Sequence, residues 1–162
     1  MKFLLLSVCS AQYLSPVEIR QEDALDVVSL QLDRGTVIGL RFEDFDLYRG
    51  IPYAEVPERF EIAKPVEKLE NFNGTWWGPI CYQDEFFITD PDVMRTHPIL
   101  KDYVGKNYKE LADRGVVSEN CLSFDLYVPR NVSNTGVLFW IHGGGFSVGD
   151  RQGLLTQNRL SN

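Results

Sequence analysis

Basic side chains are in the minority: 16 Lys and Arg stand against 23 Asp and Glu, for a net charge of −7. A nucleic-acid partner would want a basic face, so that class of function is excluded. Histidine is scarcer still, with only His97 and His142 available to any base-dependent chemistry. No stretch approaches the roughly 20 apolar residues a membrane-spanning helix needs, and internal repeats and low-complexity tracts are missing. Cysteine occurs three times, too few for a disulfide-built scaffold. What remains is ordinary globular material, 44% hydrophobic and 12% aromatic over 162 residues. That is enough for one domain with a sizeable core.

The N-terminus carries its own reading. Met1-Lys2 precedes an apolar run from Phe3 through Leu6 and Val8 to Cys9, then the small residues Ser10 and Ala11. This is the pattern of a secretory signal, expected over residues 1–15, with a buried N-terminal strand as the alternative. Its removal leaves Cys81 and Cys121 as the only pair, and two cysteines in an exported chain are expected to form one disulfide. Asn73-Gly74-Thr75 and Asn131-Val132-Ser133 are glycosylation sequons at Asn73 and Asn131. Together these lead to the expectation that the chain is exported.

Residues 27–32 and 36–42 flank Asp33-Arg34-Gly35 and alternate partly between apolar and polar, which predicts a β-hairpin. Gly50, Pro52, Pro57 and Pro65 argue against long regular elements from residue 47 to about 72. Trp76, Trp77 and Ile80 form an apolar cluster near Cys81 and read as core packing. Residues 82–117 are polar and mixed, with a short helix around 107–114, and read as the loop that Cys81 and Cys121 close. Leu122, Phe124, Leu126 and Val128 then alternate with Ser123, Asp125 and Tyr127, the period of a half-buried strand ending at Pro129.

Five apolar residues, Val-Leu-Phe-Trp-Ile at 137–141, suit a strand covered on both faces, as in a parallel sheet. They run into His142-Gly143-Gly144-Gly145-Phe146. Three residues without side chains let backbone N–H groups approach a ligand, which is what stabilising an oxyanion requires. A purely structural turn is the competing reading. Neither nucleotide fingerprint fits: in a G-x-G-x-x-G frame from Gly143 the last position is Val148, and no Gly-Lys-Ser/Thr follows. Gly145-Phe146-Ser147-Val148-Gly149 matches the nucleophile-elbow pattern letter for letter, yet both histidines precede Ser147, against the Ser, acid, His order of that fold. Ser147 is therefore read as a loop serine.

Several segments together resemble one family, the type-B carboxylesterases and cholinesterases. Tyr48-Arg49-Gly50-Ile51-Pro52-Tyr53-Ala54 is similar to its F-x-G-I-P-Y-A segment, and Glu58-Arg59-Phe60 to the end of its P-P-x-R-F run. Trp77-Gly78 and Cys81-Tyr82-Gln83 resemble its tryptophan and first-cysteine region. Ser118-Glu119-Asn120-Cys121-Leu122 resembles S-E-D-C-L, and the His-Gly-Gly-Gly-Phe segment its oxyanion motif. These stand in the family's order over residues 28–149.

The resemblance implies an α/β-hydrolase fold with a mixed, mostly parallel central sheet, of which residues 16–162 would be the strand-rich N-terminal part. It implies oxyanion N–H groups from Gly144 and Gly145, a Cys81–Cys121 disulfide and an Arg59–Glu119 ion pair, worth several kcal/mol if buried. Neither metal nor cofactor is implied, and the substrate class would be small-molecule carboxylic esters. Asn120 stands where the family has Asp, and Asp150 where it has a small hydroxyl residue. The G-E-S-A-G segment, the triad acid and the triad histidine do not occur within the 162 residues, so ester turnover by these residues alone is expected to be negligible. No Trp lies between Cys81 and Cys121, so choline selectivity is not supported. The alternative function is a non-catalytic, cholinesterase-like adhesion module with a protein partner. A third reading is that an uncovered 137–141 strand leaves an aggregation-prone sheet edge.

Overall fold

The computed structural model describes residues 21–96, 100–134 and 136–151. The expected leader at 1–15, His97 and residues 152–162 lie outside the described residues. A 3₁₀ turn at Gln21–Asp23 leads into β1 (Asp26–Leu32) and β2 (Gly35–Arg41). These pair antiparallel along their whole length, from Asp26↔Arg41 to Leu32↔Gly35, as the hairpin pattern predicts.

β3 (Phe45–Pro52) is eight residues long and pairs antiparallel with β2 only at Leu40↔Leu47 and Arg41↔Asp46. The proline and glycine content had argued against so long a strand here. It persists because Pro52 stands at its end, and Gly50, at φ +61°, lies in a bulge where the register with the partner strand shifts between Tyr48 and Ile51. Beyond the bulge β3 continues. The Arg41↔Asp46 pair is bidentate, at 2.8 and 2.9 Å, and this hydrogen bonding holds the Asp46 carboxyl below its ordinary range.

Short strands β4 (Ala54–Glu55) and β5 (Lys64–Pro65) pair with each other. β6 (Leu69–Asn73) then runs parallel to the first half of β2. β7 (Ile80–Cys81) opens the disulfide-closed segment, which contains α1 (Glu85–Thr89), α2 (Pro91–Thr96), a 3₁₀ turn at Leu100–Tyr103, α3 (Tyr108–Asp113) and β8 (Val117–Ser118), the last parallel to β7. β9 (Ser123–Pro129) lies antiparallel to β3, giving the order β1-β2-β3-β9 with β6 attached to β2.

The pairing is thus mainly antiparallel, with β2·β6 and β7·β8 the parallel exceptions. Hairpin connections give that result for β1·β2 and β2·β3, while β3·β9 is antiparallel across a long connection; parallel neighbours require crossovers of a dozen or more residues. Val37, Tyr48, Ile51 and Leu69 form one core with Leu30, Phe72, Leu126 and Val128 around it.

Two readings of burial are corrected. Residues 82–117 are more than a closed loop: Ile88, Met94, Leu100, Leu111, Val116 and Val117 pack with Ile80 into a core of their own. α3 accounts for part of this order through a capping box in which Asn107 and Glu110 satisfy each other's backbone N–H groups. Residues 137–141, conversely, form no ladder among the described residues, and their side chains are 45 to 93% exposed. A strand needs a neighbour to pair with, and none of the described strands lies beside this one.

Candidate functional site

Between β6 and β7 the chain runs through Gly74, Thr75, Gly78 and Pro79, whose carbonyls need donors from elsewhere. Arginine, with five N–H donors, serves such clusters well. Arg49 sits at the β3 bulge and is 1% exposed. Its backbone N–H donates to Gly74 O at 2.8 Å, and its guanidinium lies over the Trp77 ring, 3.8 Å from the centroid. Nη1 donates to Thr75 O at 3.4 Å, while Nε and Nη2 are buried without a partner among the described residues. Burial therefore lowers the Arg49 pKa, opposed by the nearby Tyr127 and Asp125.

Asp125 closes the other side of this cluster. Its Oδ1 accepts from Gly50 N–H at 2.7 Å and from Arg151 Nε at 3.0 Å, while Oδ2 is buried with no partner among the described residues. The Asp125 and Arg151 side chains are 4% and 10% exposed. Arg151 uses its remaining arms on Pro79 O, at 2.9 Å from Nη1, and on Gly78 O from Nη2. Gln83 bonds to the end of the glycine loop and to Cys81: Oε1 accepts from Gly149 N–H at 2.9 Å, and Nε2 donates to Gly149 O at 3.3 Å and Cys81 O at 3.2 Å. The Cys81–Cys121 disulfide, with its Cα atoms 5.0 Å apart, ties this segment to the start of β9.

The glycine loop precedes these anchors. Residues 142–147 are exposed, and Ser147 and Val148 N–H both donate to Gly144 O at 3.1 Å. Gly144 has φ +122°, and a Cβ there would lie 1.7 Å from Val148 O, so no other residue fits without rearrangement. The Gly144 and Gly145 N–H groups have no acceptor among the described residues. Phe146, at φ +62°, is a non-glycine residue in the left-handed region, a costly conformation found preferentially at functional turns.

Ser147 Oγ donates to Gly144 O at 3.2 Å. Nδ1 of His142 lies 2.7 Å from Gly143 O, a contact that requires the proton on Nδ1. Serine and histidine are thus each engaged with the loop backbone rather than with one another. Arg59 Nε lies 3.6 Å from Glu119 Oε1, with side chains 73% and 63% exposed. That exposure removes the premise of a strongly stabilising buried pair and leaves a contact worth about 1 kcal/mol at most. Asn131 is exposed, at φ +59°. Asn73 is exposed as well, but its Oδ1 accepts from Thr75 N–H at 3.1 Å and Thr75 Oγ1 at 2.7 Å. Trp77 packs on Arg49 as a core tryptophan would, whereas Trp76 is mostly exposed.

Sequence reasoning missed the polar frame of Arg49, Gln83, Asp125 and Arg151. The alternation in β9 puts Asp125 on the solvent side, but residues 78–79 and 151 cover that face. A carboxylate in mid-strand, with an arginine shortly after a glycine loop, was the available signal.

A strand-rich sheet leading into a glycine loop, with its carbonyl-rich flank held by buried arginines, is the N-terminal part of an α/β-hydrolase fold. The carboxylesterase family model matches residues 26–161, and the chain belongs to that family. Among curated relatives, the para-nitrobenzyl esterase of Bacillus subtilis (strain 168) is 32% identical over 120 residues, covering 71% of this chain and 21% of that protein. A juvenile hormone esterase of Heliothis virescens is 32% identical over 145 residues, covering 80% and 22%. Of solved structures, a thermophilic PNB esterase superposes with a TM-score of 0.53 at 30% identity, covering 75% of this chain and 22% of that one. The chain thus spans about a fifth of the length of these relatives.

Proposed function

We propose that the chain supplies the oxyanion-hole portion of a secreted serine-type carboxylic ester hydrolase acting on small-molecule esters. The observation that carries this is the glycine loop, with unengaged N–H groups at Gly144 and Gly145, set at the end of an ordered run of family segments. Two such donors aimed at the tetrahedral oxyanion stabilise it by roughly 2.7–4 kcal/mol each. The nucleophile, acid and base come from outside these 162 residues, and turnover by the chain alone stays at background. An adhesion module has no need for such a loop, which favours the enzymatic reading. Within the secreted form, Asn73 and Asn131 are both exposed glycan acceptors.

The test uses para-nitrophenyl esters. Purified chain should match the blank rate. A chimera in which residues 26–151 replace the matching part of the Bacillus subtilis para-nitrobenzyl esterase should hydrolyse them. In that chimera Gly144→Ala should lower kcat by about 10²–10³, and Gly143→Ala, whose Cβ would meet nothing within 4 Å, should leave it within a few-fold. An unchanged kcat in Gly144→Ala refutes the oxyanion assignment. Turnover by the chain alone that disappears in Ser147→Ala refutes both that assignment and the dismissal of Ser147.

A further inference from the structure

Residues 137–148 make no hydrogen bond to any described residue outside that range, so the direction of the loop's N–H groups depends on what holds its far end. Glycine-rich backbone has the most conformational freedom to lose, and productive oxyanion geometry tolerates only about half an ångström of error. The hold on that end is a charged one. Arg151, two residues past Gly149, bonds at once to Asp125 on β9 and to the Gly78 and Pro79 carbonyls. The Asp125 carboxylate also caps the β3 bulge at Gly50. Both side chains are at least nine-tenths buried, so solvent screening does little to weaken the pair.

We propose that Asp125 and Arg151 are positioning residues that latch the glycine loop to the β3–β9 sheet and so fix where the Gly144 and Gly145 donors point. Gln83 adds two neutral hydrogen bonds at Gly149, whereas the ionic latch runs from Arg151 to Asp125 on β9 itself. The role assigned to the donors rests on the oxyanion reading above, whereas the latch itself does not.

Amide–water exchange in the ¹⁵N-labelled 162-residue chain tests it without any ester or nucleophile. The reporting amides are Ser147, Val148 and Gly149, all hydrogen-bonded within or from the loop. The reference amides are those of the β1–β2 ladder, remote in sequence and held by full-length pairing. Arg151→Ala should speed exchange at the three loop amides at least tenfold and leave the ladder at wild-type rates. Arg151→Lys, which keeps the charge opposite Asp125, should recover part of the protection. Asp125→Asn keeps an acceptor for Gly50 N–H and should resemble Arg151→Ala; if it unfolds the chain, the two Arg151 variants carry the test. Wild-type loop exchange in Arg151→Ala, an equal rise in loop and ladder, or no recovery with Lys would each overturn the proposal. A Gly144→Ala chimera with undiminished kcat would instead remove the oxyanion reading and leave the latch standing.

Discussion

Residues 80–118 bury seven apolar side chains in one core and residues 137–141 expose theirs, although the second segment is far the more hydrophobic. In the first, Ile80, Ile88, Met94, Leu100, Leu111, Val116 and Val117 come from within forty residues of one another and close on themselves. The β7·β8 pair joins the segment's two ends at Ile80↔Val117, and the disulfide fastens them beside it. In the second, five consecutive apolar residues belong to no strand and pair with none of the described strands. Burial follows the availability of a partner rather than the hydrophobicity of the segment. Local contacts also cost less loop-closure entropy than distant ones, so the segment that supplies its own partners can order without help.

The largest test of this contrast is the disulfide. It spans a sequence separation of 40, and the chain-entropy relation gives about 4 kcal/mol for closing a loop of that size. Cys81→Ser/Cys121→Ser should lower unfolding stability by about that amount in urea titrations, with the loss concentrated in amides of residues 80–118. An unchanged midpoint would mean that the helical segment holds itself together without the tie.

Leu111→Ala comes next. Leu111 is fully buried between α3 and the rest of the small core, and removing a buried leucine side chain costs about 2–5 kcal/mol. A loss below about 1 kcal/mol would show that this core is loosely packed and would weaken the contrast from its packed side.

The parts of the molecule legible in the sequence are those governed by short-range pattern. Alternation on either side of Asp33-Arg34-Gly35 predicts the β1–β2 hairpin because turn and strands are contiguous. The packing of Leu126 and Val128 in β9 follows from periodicity and the disulfide from cysteine count in the same way, although Phe124, of the same apolar set, is exposed. Of the helical core only α3 was legible, as the short helix expected around 107–114; α1 and α2, five and six residues long, are too short to display a 3.6-residue period. The polar frame of the site was hidden for a different reason. Asp125, Arg49 and Arg151 meet across separations of 26 residues or more, and a charged residue in a strand reads as solvent-facing until the segment covering it is known. The glycine loop lies between these cases: its motif identifies it, but only the position of the Val148 carbonyl shows that Gly144, rather than Gly143, cannot be replaced.

The smallest expected effect is the most exacting. Phe139 lies at the centre of residues 137–141 and is 78% exposed, so Phe139→Ser removes almost no buried apolar area. Surface substitutions of this kind change stability by no more than about 0.5 kcal/mol, and replacing an exposed aromatic ring by a hydroxyl should if anything improve solubility. Urea titration of the isolated chain should therefore show coincident midpoints for the two proteins. In the esterase chimera the same change should be severe, because a five-residue apolar run is the pattern of a strand covered on both faces, and burying a phenylalanine there makes its loss worth about 3–5 kcal/mol. Equal, small effects in both settings would show that the run is a surface feature of this chain. A large effect in the isolated chain would show that the segment has found a partner in solution, and the contrast with residues 80–118 would then no longer hold.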